Sequence, residues 1–295
     1  MPDLRLGILG CDTSHVIEFT KRLNHRDIPQ EQWVDGATVV AAWPGTSEIA
    51  PERLPGYVGT LKGYGITIVE RPEDLRVDAV LLEAQKGATH AALAVPFLRE
   101  GVPVFVDKPF ACSVADAAAM VEAAVRGDAP LLSASSLRFA PEVGALQVGR
   151  VLGAHVYTPA ELHAGNPGLF HYGVHGVEML YALMGGPGCR KVRCTTTADF
   201  DDALGEWSDG RLGGVRGLRA GARGYGFVAY GEKGIHATAV GTGWIYHNLL
   251  KVIVAVLSGG PSPVSAHELV EAVAFQECAL RSARAGGEAI ALPVV

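Results

Sequence analysis

Short apolar runs alternate with helical spacing through the first 135 residues. Residues 4–9 form an apolar run ending at Gly10, and Asp12-Thr13-Ser14 offer N-cap side chains to a helix over 15–23. Further strands are predicted at 38–43, 66–69, 78–82, 102–106 and 131–134, with helices at 89–100 and 114–125. The run 78–82 is apolar throughout, as in a parallel strand covered on both faces. Gly101 supplies a helix stop and Pro44-Gly45 a strand stop. This alternation predicts an α/β fold that starts with a Rossmann-like, doubly wound parallel sheet.

The pattern changes near residue 135. After a helix over 141–149 comes a strand at 154–158, then a helix over 171–184 stopped by Gly185-Gly186. Between 192 and 239, strand-like runs are separated by Ser208-Asp209-Gly210, Gly213-Gly214 and Gly231-Glu232-Lys233-Gly234. That spacing predicts hairpins of a mostly antiparallel sheet, followed by helices over 247–257 and 266–285. The expected division is a dinucleotide-binding domain over 1–135 and an α+β domain over 136–295.

Composition narrows the function classes. The chain has 295 residues, 48% of them hydrophobic and 19% charged, so it can bury a core. Its net charge of −6 argues against nucleic acid as a partner. No apolar run reaches bilayer length, and the N-terminus lacks the pattern of a signal peptide, so no membrane partner is expected. The five cysteines (Cys11, Cys112, Cys189, Cys194, Cys278) form no C-x-x-C pair, and their number is odd. Buried, inert thiols in a reducing, cytoplasmic setting are expected.

Three places carry candidate chemistry. The first strand–turn–helix is where a dinucleotide fold seats a pyrophosphate on helix N–H groups. The loop there reads Gly10-Cys11-Asp12-Thr13-Ser14-His15, with only the first glycine of G-x-G-x-x-G. Asp12 disfavours a phosphate unless it points away, while Thr13 and Ser14 offer hydroxyl donors. An ordinary helix cap is the competing reading. The second strand ends in Trp43-Pro44-Gly45-Thr46-Ser47, without the acid that grips a ribose diol in NAD sites and without an arginine for a 2′-phosphate. The next place is Lys108, which follows the strand at 102–106, where doubly wound sheets bind ligands; a solvated surface lysine is the alternative. Finally, His163 and Asn166 precede His171, Tyr172, His175 and Glu178. On one helix His171, His175 and Glu178 share a face. An acid/base centre, a metal site of those three residues, and histidines packed structurally against a sheet all remain open.

Taken together, LRLGILG at the N-terminus, His90, VFVDKPF at 104–110 and HYGVHGVEMLYALMG at 171–185 resemble the Gfo/Idh/MocA family of oxidoreductases. SLRFAPE at 136–142 is similar to the family's domain-crossing segment. The resemblance implies NAD or NADP as cofactor and a sugar, cyclitol or similar polyol as substrate, oxidised or reduced at a CH–OH/C=O carbon. It implies that Lys108 holds the reacting oxygen and that His175 is the general base, with His171 standing where the family has aspartate. Tyr172, Asn166, His163 and Arg138 are then substrate candidates. Gly10, Asp12, Thr13, Ser14, His15, Trp43, Thr46, Ser47, Glu83 and Lys108 are cofactor candidates. No metal is expected in this reading; the alternative metal set is His171, His175 and Glu178. The resemblance also implies a homodimer or homotetramer formed through the C-terminal sheet. The departures in the glycine loop, at the second strand end and at Glu83 leave two alternatives. One is a redox-neutral lyase, epimerase or hydrolase using bound NAD or a metal; the other is a non-catalytic relative.

Overall fold

The computed structural model describes residues 3–294. The chain forms two compact units: Met1–Ala111 with Ala115–Ala134 and Tyr246–Pro263, and Cys112–Val114 with Ser135–Ile245 and Val264–Val295. The longest stretch of the second unit starts at Ser135. The helical segment after Ile245 nevertheless returns to the first unit, which a single boundary between 135 and 136 does not describe.

The first unit holds β1 (Leu4–Leu9), α1 (His15–Leu23), β2 (Ala37–Trp43), α2 (Leu54–Gly63), β3 (Thr67–Ile68), β4 (Ala79–Leu82), α3 (His90–Arg99), β5 (Val104–Val106), α4 (Val114–Gly127) and β6 (Leu131–Ser133). The sheet is parallel, in the order β3-β2-β1-β4-β5-β6. Strand order reverses between β1 and β4, and ligands of such sheets bind outside the carboxyl ends at that point. Leu6, Ile8, Leu9 and Ala79–Leu82 are fully buried, as their unbroken apolar runs predict.

The second unit carries α5 (Pro141–Gly144), β7 (Val151–Pro159), α6 (Val174–Met184), β8 (Cys189–Thr196), β9 (Phe200–Trp207), β10 (Leu212–Leu218), β11 (Tyr225–Gly231) and β12 (Gly234–Val240). Next come α7 (Ile245–Leu257), most of which packs with the first unit, then α8 (Ala266–Arg284) and β13 (Ile290–Ala291). The sheet order is β12-β11-β7-β10-β9-β8-β13. All its pairings are antiparallel except β7 with β10. Helix α6 lies close on the inner face. A Cβ at Gly176 would stand 2.7 Å from Thr158 Cγ2 and 2.8 Å from Val215 Cγ1, so glycine permits that approach.

Two expectations are corrected here. The helix expected over 141–149 stops at Gly144. The helix expected from 171 begins only at Val174, because Pro167 and a 3-10 turn over Gly168–Phe170 precede it and His171 (ψ −82°) departs from helical geometry. His171, His175 and Glu178 therefore do not form a helical stripe.

Candidate functional site

In the first unit the candidate residues gather at the carboxyl ends of β1, β4 and β5. Gly10 adopts φ +83°, and a Cβ there would lie 2.6 Å from that of Ala84, so only glycine fits. Asp12 is buried and turned back on the protein. Its Oδ1 accepts the Gln85 amide at 2.8 Å and its Oδ2 accepts the Ser47 hydroxyl at 2.7 Å. Its charge is thus taken up by donors from the loops after β4 and β2. A Lys86–Glu48 ion pair at 2.5 Å joins the same two loops. Thr13 and Ser14 lie at the N-terminus of α1, and Ser14 uses no side-chain oxygen to cap it. The loop therefore fits a diphosphate: a close-approach glycine, helix amides, two hydroxyl groups and an acid directed elsewhere.

His15 occupies the third glycine position of the fingerprint without blocking it. Its buried ring stacks on Phe19 (centroids 5.1 Å apart), meets Tyr246 edge-on at 5.1 Å, and places Nδ1 2.8 Å from Asp107 Oδ2. His90 bridges the loops after β4 and β5, with its ring nitrogens 2.6 Å from the Ala84 carbonyl and 3.2 Å from that of Phe110.

The acids near Lys108 behave oppositely. Burial pushes the Glu83 carboxyl well above the usual carboxylate range; Asp107 adds to this, while Lys108 opposes it. Glu83 is wholly buried, and neither of its oxygens has a hydrogen-bond partner. Burial pushes Asp107 up too, but His15 and Lys108 more than offset this and hold it at about 2. Lys108 is half-buried and makes no ion pair or side-chain hydrogen bond among the described residues, so its donors remain available to a ligand oxygen. Trp43 donates Nε1–H to the Glu70 carbonyl at 3.2 Å, and Thr46 is exposed on the following loop. Burial raises the Cys11 thiol far above its ordinary value, so it is an inert core group.

In the second unit His175 sits in the first turn of α6, 5% exposed. Its Nδ1 lies 2.6 Å from Ser135 Oγ. The Tyr172 ring is 5.9 Å away, and the Tyr225 ring meets it edge-on at 5.8 Å. His171 lies edge-on to Tyr172 at 5.0 Å and 5.3 Å from His163. These five side chains form one aromatic group. Burial, chiefly, raises the Tyr225 hydroxyl to about 12, with Tyr172 adding to it, so it remains a neutral donor.

Other candidates have different employment. Arg138 is 9% exposed, lies 3.2 Å from Glu178 Oε2 and also pairs with Glu268, so its guanidinium joins α6 to α8 and is withdrawn from substrate. Glu178 is pushed up by burial, against the pull of Arg138. Asn166 is 1% exposed, and its Oδ1 accepts the Cys112 thiol at 3.4 Å. His163 accepts the Gly165 amide at 3.0 Å and lines a mostly apolar cavity of about 380 Å³ with Leu169, Cys194, Asp201 and Leu280. Among the described residues no group of three His, Cys, Asp or Glu side chains is placed to hold a metal ion. Ser135 and Tyr225 were not singled out by sequence. Ser135 carries only the signal of a cap, and Tyr225 merely opens a strand.

Comparisons agree with this geometry. Residues 64–134 match the family model described as an oxidoreductase family with an NAD-binding Rossmann fold. A search of curated proteins gave no match. Among solved structures, GenD2 from gentamicin A biosynthesis in complex with NAD is 19% identical, covering 100% of this chain and 97% of its own, with a TM-score of 0.79. A myo-inositol dehydrogenase from Corynebacterium glutamicum is 17% identical over 99% and 100% of the two chains, with a TM-score of 0.77. An Agrobacterium radiobacter oxidoreductase in complex with NAD+, L-tartaric acid and magnesium is 17% identical over 98% of each chain, with a TM-score of 0.75. At such identities the likeness establishes the two-part fold. The parallel sheet of the first unit is of the Rossmann type, and the segment matched in it is that of an NAD-binding oxidoreductase family. The model matched by residues 64–134 is that of the Gfo/Idh/MocA family, the one the chain's motifs resemble.

Proposed function

We propose that the protein oxidises or reduces a CH–OH/C=O carbon of a sugar, cyclitol or similar polyol with NAD or NADP. The observation that carries this reading is Lys108, an ammonium at the carboxyl end of β5 that makes no ion pair or side-chain hydrogen bond among the described residues. In this reading Gly10, Thr13, Ser14 and the α1 amides hold the cofactor diphosphate. Glu83, whose buried oxygens have no hydrogen-bond partner among the described residues, is a neutral acid beneath this strand end. When bound, the nicotinamide accepts or returns a hydride. Lys108 donates a hydrogen bond to the reacting oxygen and stabilises negative charge as it develops there. His175 exchanges the hydroxyl proton. His171, Tyr172 and Tyr225 orient a polyol through ring faces and hydroxyl groups.

A homodimer or homotetramer through the second sheet is part of the proposal. The outer face of that sheet exposes Leu204, Leu212, Tyr230 and Ile235, the last by 70%. Apolar side chains grouped on one face mark an association surface. A cytoplasmic site of action follows from the unpaired cysteines. Among the described residues no helix is long and apolar enough to cross a membrane.

The reading is tested by screening polyols and their ketones with each nicotinamide form, following absorbance of the reduced cofactor. Turnover that is lost in Lys108→Met supports it. Turnover of a substrate with no change in nicotinamide redox state, undiminished in Lys108→Met, contradicts it.

A further inference from the structure

Ser135 caps the 3-10 turn over Ser136–Phe139, with extended backbone (φ −75°, ψ 143°). Its Oγ accepts the Leu137 amide at 3.1 Å, the ordinary task of a serine in that place. The same oxygen lies 2.6 Å from Nδ1 of His175, a contact no cap requires. Ser135 is fully buried. From the same turn, Arg138 donates to the carbonyl and carboxylate of Glu178, one turn further along α6. This turn therefore holds α6 at two successive positions.

The chemistry of a hydroxyl gives that contact a particular meaning. Oγ has one proton and two lone pairs, and Leu137 occupies one lone pair. Toward Nδ1, Oγ can accept a proton or donate one. A carboxylate there would only accept, and would favour the charged ring. The groups beside His175 include Tyr172 from the preceding loop, Tyr225 from β11 and Ser135 from the turn; His171 packs on Tyr172, and Glu178 follows one turn along α6. The charge of Glu178 is answered by Arg138. The direct partner of Nδ1 is thus a neutral group.

We propose that Ser135 is a positioning residue for His175: its hydroxyl fixes the ring plane so that Nε2 is the nitrogen offered to the reacting oxygen, and stays bonded to Nδ1 in both protonation states. This rests on the role given to His175 above. In oxidation the substrate proton moves to Nε2, Nδ1–H remains donated to Oγ, and no proton leaves through Ser135. In reduction the same proton returns from Nε2. When the neutral ring rests with its proton on Nε2, the hydroxyl turns and donates to Nδ1.

The test compares native protein, Ser135→Ala and Ser135→Thr in the full chain. Histidine 15N NMR without cofactor reads the tautomer and titration of His175, and steady-state kinetics against pH reads its use. In Ser135→Ala the tautomer balance and titration of His175 shift, and kcat falls about 10- to 100-fold with KM within about twofold. Ser135→Thr, which keeps the hydroxyl, stays within about threefold of native. A His175 signal in Ser135→Ala that matches native in tautomer and titration overturns the proposal. If the alanine variant does not fold, the native spectrum decides: a neutral ring held mainly as the Nδ1–H tautomer supports the proposal, and a dominant Nε2–H tautomer or a mixture like that of free imidazole overturns it. A shifted His175 signal in protein with no nicotinamide-dependent turnover supports the positioning and counts against the oxidoreductase reading instead.

Discussion

Nδ1 of His15 stands 2.8 Å from the carboxylate of Asp107, joining the first turn of α1 to the residue before Lys108. A histidine in the third glycine position looks disruptive in sequence. In the structure it ties the loop at Gly10 to the strand end that carries the proposed catalytic lysine. The depressed Asp107 carboxyl, held at about 2, contributes stability above its ordinary value of 3.8 and loses that contribution as pH falls through the folded value. His15→Ala removes the partner. Acid unfolding should then begin at higher pH than in the native protein, as followed by circular dichroism.

Lys108→Met should lower kcat/KM at least about 100-fold, a loss of ~2.7 kcal/mol of transition-state stabilisation, with little change in melting temperature. A loss within about tenfold means that Lys108 does not hold the reacting oxygen.

Glu83 makes the opposite acid–base statement to Asp107. Its folded value is raised, so the protein takes up a proton there on folding above the ordinary value of 4.5. Stability tied to this group is full below 4.5 and declines as pH rises through the folded value. Glu83→Gln, a neutral isostere, should remove that decline. As pH increases above 4.5 the melting temperature of the variant should rise relative to native, a trend differential scanning calorimetry can follow.

Arg138 lies between Glu178 and Glu268, all three buried. Arg138→Met leaves two buried carboxylates without their cation and should cost about 3–5 kcal/mol in denaturant unfolding. A variant of native stability with only a raised KM would return Arg138 to the substrate.

Gly176→Ala places a methyl group against Thr158 and Val215. The overpacking should cost about 1–3 kcal/mol and shift the neighbouring His175, lowering kcat more than stability alone explains. Unfolding curves and turnover measured on the same preparation check both effects.

The two-part fold was legible because strand spacing and helix spacing differ along the chain, and buried runs such as Ala79–Leu82 are unambiguous. Helix α2 was not legible: LPGYVGTLKG contains Gly56 and Gly59 and buries only Leu61, so it carries no apolar stripe. The start of α6 was misread because apolar spacing continues back through Phe170 and His171, and only backbone geometry shows the break. Among the candidate residues, Lys108 and His175 stand out in the sequence beside recognisable motifs. Arg138 could not be read correctly, since its partner Glu268 is 130 positions away. Asp12 looked unfavourable until the donors from Ser47 and Gln85 were seen to turn it aside.

The central claim is that the loop at Gly10 binds a nicotinamide dinucleotide. Thermal melting with NAD, NADH, NADP and NADPH tests it most directly, on protein first shown to be free of co-purified cofactor. At ~100 times its Kd a ligand adds ~2.7 kcal/mol, so one oxidised–reduced pair should raise the melting temperature clearly and identify the cofactor. No shift with any of the four would contradict the account.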